Sequence, residues 1–211
     1  MIAIVDYGMG NLHSVSKAIE RLGREATIVS DAKQLHHASG IILPGVGAFG
    51  DAMDALHATG LGEELRELVQ QGKPLLGICL GMQLLFDSSE EYGRHKGLSL
   101  LPGKVVRFPQ TGYKVPHMGW NSLTWKNPQH SLVKELNEDY AYFVHSYHVE
   151  VEEPSDLLAT TEYADREVTA IVARDNVYGM QFHPEKSGSL GLKLLEQFLT
   201  KVVAMPISNK Q

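Results

Sequence analysis

The one cysteine of this 211-residue chain, Cys79, lies in Gly77-Ile78-Cys79-Leu80-Gly81. The apolar run "PLLGIC" at 74–79 leads into it and the helix-like "LGMQLLF" at 80–86 leads away. A G-x-nucleophile-x-G pentapeptide between strand and helix is a nucleophile elbow, whose small flanking residues permit a tight turn that lifts the central side chain off the end of the strand. The start of the following helix favours an anion there. A lone cysteine in an apolar strand is by itself usually a small core residue, so the elbow, and not the thiol alone, carries the chemical reading. A thiolate attacking an acyl carbon needs N–H donors for the oxyanion it creates, and the elbow supplies that of Leu80. The glycines of "LPGVGAFG" at 43–50, at the end of the preceding apolar run, allow a second backbone donor to turn toward the same acyl group.

A nucleophile of this kind needs a base. Of the ten histidines, His13, His36, His37, His57, His95 and His130 sit in polar or helical settings without a carboxylate at useful spacing. His183-Pro184-Glu185 is different. Pro184 biases His183 toward an extended backbone, and residues two apart on a strand share a face, so Glu185 would orient the imidazole as the acid of a triad does. Two rival chemistries weaken on inspection. His145 and His148 could join His183 and Glu185 around a metal, but strand alternation sets His145 and His148 on opposite faces. In "DYGMGN" at 6–11 the third glycine of a dinucleotide loop would fall at His13. Neither a metal nor a cofactor is expected.

These groups require a scaffold. Short apolar runs at 2–7, 26–30, 40–45 and 74–79 alternate with the amphipathic segments "NLHSVSKAIERLG" and "LGEELRELVQQG", the pattern of buried parallel strands joined by helices. Beyond about residue 100 the pattern changes to "KVVRF", "NSLTW", "YAYFVHSYHVEV", "LLATTEY", "VTAIVARD" and "VYGMQFHPE", read as mixed and antiparallel strands, before a last helix in "SLGLKLLEQFLTKVVA". The expected architecture is a doubly wound, mostly parallel α/β sheet with added antiparallel strands: one domain over 1–204 and a frayed tail over 205–211. In such sheets ligands bind beyond the carboxyl ends of the strands, where "PGVGAFG", "GICLGMQ" and "HPEKSG" fall. A net charge of −6 without a Lys/Arg cluster argues against nucleic acid as a partner. The single cysteine allows no internal disulfide, the opening residues lack the form of a signal peptide, and no apolar stretch approaches membrane-spanning length, so a cytoplasmic protein is expected.

"PGVGAFG", "GICLGMQ" and "HPEKSG", in that order across nearly the whole chain, resemble the class I glutamine amidotransferases. The resemblance implies a flavodoxin-like fold, glutamine as substrate and a triad of Cys79 as nucleophile, His183 as base and acid, and Glu185 as orienting group. It assigns oxyanion N–H groups to Val46 and Leu80, and the glutamine head group to Gln83, Glu91 and the backbone around Ser146. "DYGMGNLHSVSKAIERLG", "VPHMGWN" and "YFVHSYH" are similar to those members that pass ammonia to a separate cyclase subunit, as a heterodimer, in histidine biosynthesis. That likeness places Asn11, Trp120, Tyr142 and Lys186 on the cyclase-facing surface. It also fits an oxyanion hole completed only when the partner acts, through one peptide reorientation in the PGVG loop. Cysteine peptidases share the elbow but need an extended groove, whereas Gln83 with Glu91 suits a small zwitterion. A binding subunit that had lost catalysis would be free to lose Cys79, His183 or Glu185, and all three are present.

Overall fold

The computed structural model describes residues 1–109 and 112–203. In chain order the elements are β1 (Ile2–Val5), α1 (Leu12–Arg21), β2 (Ala26–Val29), β3 (Gly40–Gly45), α2 (Phe49–Ala58), α3 (Leu61–Gln70), β4 (Leu75–Cys79) and α4 (Leu80–Leu84). The second half adds β5 (Ser88–Ser89), β6 (His95–Lys96), β7 (Gly103–Arg107), β8 (His117–Ser122), β9 (Thr124–Trp125), β10 (Tyr140–His145) and β11 (Tyr147–Val151). It closes with β12 (Leu157–Tyr163), β13 (Arg166–Arg174), β14 (Val177–Met180) and α5 (Gly188–Gln197).

The main sheet runs β2-β1-β3-β4-β14-β13-β12-β9. Its first five strands are parallel and the last three antiparallel, as the change of pattern near residue 100 implies. The order 2-1-3-4-5 of the parallel part is that of flavodoxin-like doubly wound sheets. Both faces are covered, which explains why the strands read as unbroken apolar runs. Ala3, Val5, Ile41 and Leu43 pack with Phe49, Leu56 and Leu65 of α2 and α3, while Ile2, Ile4, Ile42 and Ile78 pack with Ile19 of α1 and Leu194 of α5. Each of the valine, leucine, isoleucine and phenylalanine side chains withdrawn from water contributes about 1.5–3 kcal/mol to holding these layers together.

Three elements depart from the sequence expectations. Helix α2, directly after the PGVG loop, has no counterpart among the two first-half helices read from periodicity. The run at 140–151 is two strands, because the chain breaks at Ser146: β10 pairs only with β8 in a two-stranded ribbon, and β11 joins β7 in another sheet. The final helix passes at Phe198–Val202 into a π-helical turn. The tail expected over 205–211 lies outside the described residues.

Candidate active site

Cys79 ends β4 and opens α4 with φ 55° and ψ −113°, a backbone conformation that side-chain-bearing residues rarely hold. Its flanking glycines are sterically required. A Cβ on Gly81 would lie 1.8 Å from the carbonyl oxygen of Leu43, and one on Gly77 would lie 2.5 Å from the carbonyl oxygen of Gly81. The parallel register then sets Gly45 of β3 opposite Cys79, while β14 flanks β4 on its other side with Met180 opposite Ile78. The carboxyl ends of β3, β4 and β14 thus converge, bringing together the PGVG loop, the elbow and the segment leading to His183.

His183 is held by its backbone. Its N–H donates to the Tyr142 carbonyl at 3.1 Å, and its own carbonyl accepts from the Ser187 hydroxyl at 2.7 Å. His183 Nδ1 and Glu185 Oε1 are 2.8 Å apart, and both side chains are almost fully buried. The pairing arises differently from the sequence expectation. Residues 184–186 form a 3₁₀ turn, started by Pro184, and it is this turn rather than strand alternation that folds Glu185 back onto the ring. Burial opposes a charge on His183, but hydrogen bonds to Cys79 and Glu185 and the negative charge of both outweigh it and raise the pKa to about 10. With Nδ1 engaged by Glu185, Nε2 is the atom left for Cys79.

Around this trio lies a cavity of about 310 Å³ lined by Val46, Gly47, Leu80, Gln83, Glu91 and Ser146 among others. Glu91 accepts from the Phe49 N–H at 2.7 Å, and burial raises its pKa. Gln83 donates to the Tyr147 carbonyl and to Gln181 Oε1, each at 3.0 Å. The PGVG loop is buttressed from below: the buried Tyr7 hydroxyl donates to the Pro44 carbonyl at 2.8 Å, leaving no room for a Cβ on Gly45. Burial, then the charge of Cys79, push the Tyr7 hydroxyl up, so it stays a donor.

Beside the cavity, Trp120 of β8 and Tyr142 of β10 are paired across the ribbon with rings 6.0 Å apart. Trp120 is 56% exposed and its neighbours Met118 and Tyr140 are similarly open, so the ribbon presents an apolar face to solvent. Lys186 is exposed on the turn after His183, and α1, capped by Asn11 through the Ser14 N–H, contacts that turn. Strand β10, which carries Tyr142, also contacts that turn.

Strand alternation does not set the placement of His145 and His148. His145 and His148 are not on one strand, and both rings lie against Phe108, with centroids 5.3 and 4.7 Å away. Among the described residues no cluster of three or more His, Cys, Asp or Glu is arranged to hold a metal ion. His117, which the sequence gives no reason to single out, is buried against this group and meets His145 at 3.0 Å. Tyr7 and Gln181 are likewise supporting groups whose role is invisible without the fold.

The model of the family "Glutamine amidotransferase class-I" matches residues 3–202. The chain belongs to this family. Among curated members it is 54% identical over 203 residues to the imidazole glycerol phosphate synthase subunit HisH of Halalkalibacterium halodurans, covering 94% of each chain. It is 50% identical over 209 residues to that of Bacillus subtilis, covering 97% of each. Solved structures of a glutamine amidotransferase (TM-score 0.77, 22% identity, 97% of this chain and 100% of that one) and of PurLQS from Thermotoga maritima (TM-score 0.74, 21% identity, 95% and 97%) share its fold. In this amidotransferase the β8–β10 ribbon is an addition to the parallel sheet, and its Val144 and His145 line the cavity.

Proposed function

We propose that this chain hydrolyses glutamine to glutamate and ammonia and delivers the ammonia to a cyclase subunit of imidazole glycerol phosphate synthase, as the name of its curated relatives implies. The observation that carries the reading is that His183, held by Glu185 at 2.8 Å, lines with Cys79 a cavity whose polar groups suit a small zwitterion. The Cys79 thiolate attacks the side-chain amide carbon, and the carbonyl π electrons move onto oxygen. The N–H groups of Leu80 and Val46 receive that oxyanion. Collapse expels the amide nitrogen, which takes a proton from His183 and leaves as ammonia, giving a γ-glutamyl thioester. His183, now neutral, removes a proton from water, which attacks the thioester; the thiolate departs and glutamate is released. Glu185 stays ionised throughout and holds the ring. The carboxylate of Glu91 suits the substrate ammonium, and the backbone around Ser146 its carboxylate.

The cyclase partner would seat on the apolar ribbon face of Trp120 and Tyr142, flanked by Asn11 and Lys186. Among the described residues no helix is long and apolar enough to cross a membrane, and the net charge is negative, so we assign the chain to the cytoplasm with no role for nucleic acid or lipid. Glutamate release, measured with and without the cyclase subunit and its nucleotide ligand, tests the reading. Low activity alone, a large rise in the complex and stoichiometric labelling of Cys79 by a glutamine-like diazo ketone are expected. Hydrolysis that is as fast in the lone chain, or that survives Cys79→Ala, would overturn it.

A further inference from the structure

Three side chains outside the triad form a hydrogen-bonded series whose proton positions can be deduced. His145 Nδ1 lies 2.8 Å from the Tyr147 carbonyl. A carbonyl only accepts, so His145 carries its proton on Nδ1 and, being neutral, accepts at Nε2. The atom facing that Nε2 at 3.0 Å is Nδ1 of His117, which must therefore donate. His117 Nε2 is then an acceptor, and the group beside it is the amide nitrogen of Asn121 at 3.3 Å. The Asn121 amide is itself fixed: its nitrogen also donates to the Glu162 carbonyl at 2.7 Å, and its oxygen accepts from the Ser122 N–H at 2.9 Å. All the protons point the same way, from Asn121 to Tyr147. Both rings carry the proton on Nδ1, the tautomer that a free histidine side chain does not favour.

Packing locks the ring planes. His117 is stacked between Phe143 and Tyr163, with centroids 4.8 and 3.9 Å away and near-parallel planes. Burial keeps both rings neutral, lowering the pKa of His117 to about 4 and that of His145 to about 3. The series ends in the cavity. The Tyr147 carbonyl that receives the His145 proton also receives one N–H of Gln83, whose other N–H goes to Gln181. With both amide hydrogens spent, only the oxygen of Gln83 is left to meet a ligand, and it can serve only donors such as an ammonium or an amide N–H.

We infer that Asn121, His117 and His145 are positioning residues for the glutamine site: their one-way chain of hydrogen bonds sets the Tyr147 carbonyl, and through it the orientation of the Gln83 amide, before substrate arrives. This deepens the glutaminase reading and rests on it for the identity of the ligand. The chain acts through Gln83 on ground-state recognition of the substrate head group, so its loss raises KM and spares kcat. His117 and Asn121 alternate along β8 with the exposed Met118 and Trp120, so the strand that holds the first two links also forms the apolar face.

Two measurements test this. Long-range proton–nitrogen correlation spectra of the histidine-labelled chain at neutral pH should show His117 and His145 neutral and protonated on Nδ1; either ring protonated on Nε2, or charged, overturns the chain. In the complex with the cyclase and its ligand, His117→Phe should raise the KM for glutamine about tenfold, as expected for one buried hydrogen bond left unmade, with kcat changed less than about threefold. His117→Asn, which keeps a donor at the position of Nδ1, should restore KM to within about threefold. An unchanged KM, a loss confined to kcat, or an Asn variant no better than Phe would refute the positioning role. If His117→Phe does not fold, Asn121→Ser takes its place, with a smaller KM rise of about threefold expected and no rise refuting the role. A parent complex that fails to hydrolyse glutamine would sink the functional reading and leave the tautomer result standing.

Discussion

Replacing Cys79 by glycine should give a more stable protein than replacing it by alanine, although both are dead as glutaminases. Both variants lose the sulfur, so the comparison isolates the backbone. At φ 55° and ψ −113° the residue is far from the left-handed helical well, whose ψ is about +47°, so the upper part of the roughly 1–3 kcal/mol range for strained residues applies. Glycine escapes that strain but gives up a buried β-carbon worth about 0.8 kcal/mol and about 0.5–1 kcal/mol of chain entropy. The balance favours glycine by about 1 kcal/mol, or about 2–4 °C in melting temperature for a chain of this size. Differential scanning calorimetry of the two variants at neutral pH reads the difference directly. If Cys79→Gly melts at or below Cys79→Ala, the elbow stores no strain and the argument for its geometry is wrong.

Gly81→Ala would drive a Cβ to 1.8 Å from the Leu43 carbonyl in a central strand, so a loss of more than about 3 kcal/mol, seen as a melting point lowered by at least about 6 °C, should accompany loss of glutaminase activity. Because the folded pKa of His183 is raised from 6.5 to about 10, the stabilisation from its charged pairing is full below pH 6.5 and fades as pH climbs toward 10. The gap in melting temperature between the parent and Glu185→Gln should therefore narrow from pH 7 to pH 10; a constant gap contradicts the pairing. Glu185→Gln should also slow glutamine hydrolysis less than His183→Ala, since Glu185 carries no proton in the cycle, and kinetics of the two in the complex decide it. Trp120→Ala should weaken cyclase binding by roughly 10- to 100-fold in titration calorimetry with the melting temperature nearly unchanged, because the ring is already exposed in the free chain.

Features set by local rules are legible in the residues alone. The strands with apolar residues on both faces, helices α1 and α3 and the glycine-flanked cysteine depend on neighbours within a few positions, and periodicity and steric need report them, whereas α2 gave no such signal. His183 and Glu185 were legible as a pair for the same reason, though by way of a 3₁₀ turn instead of a strand. The remaining features arise from contacts between distant segments. The break at Ser146 follows from β10 and β11 joining different sheets, and no alternation pattern in "YAYFVHSYHVEV" announces it. Once the chain divides there, His145 and His148 meet over Phe108, His117 closes against His145 from 28 residues away, and Tyr7 reaches the Pro44 carbonyl from 37. A hydrogen bond or a stacked ring across such separations leaves no periodic trace in the sequence, because its partner is chosen by the packing of sheets and not by spacing along the chain.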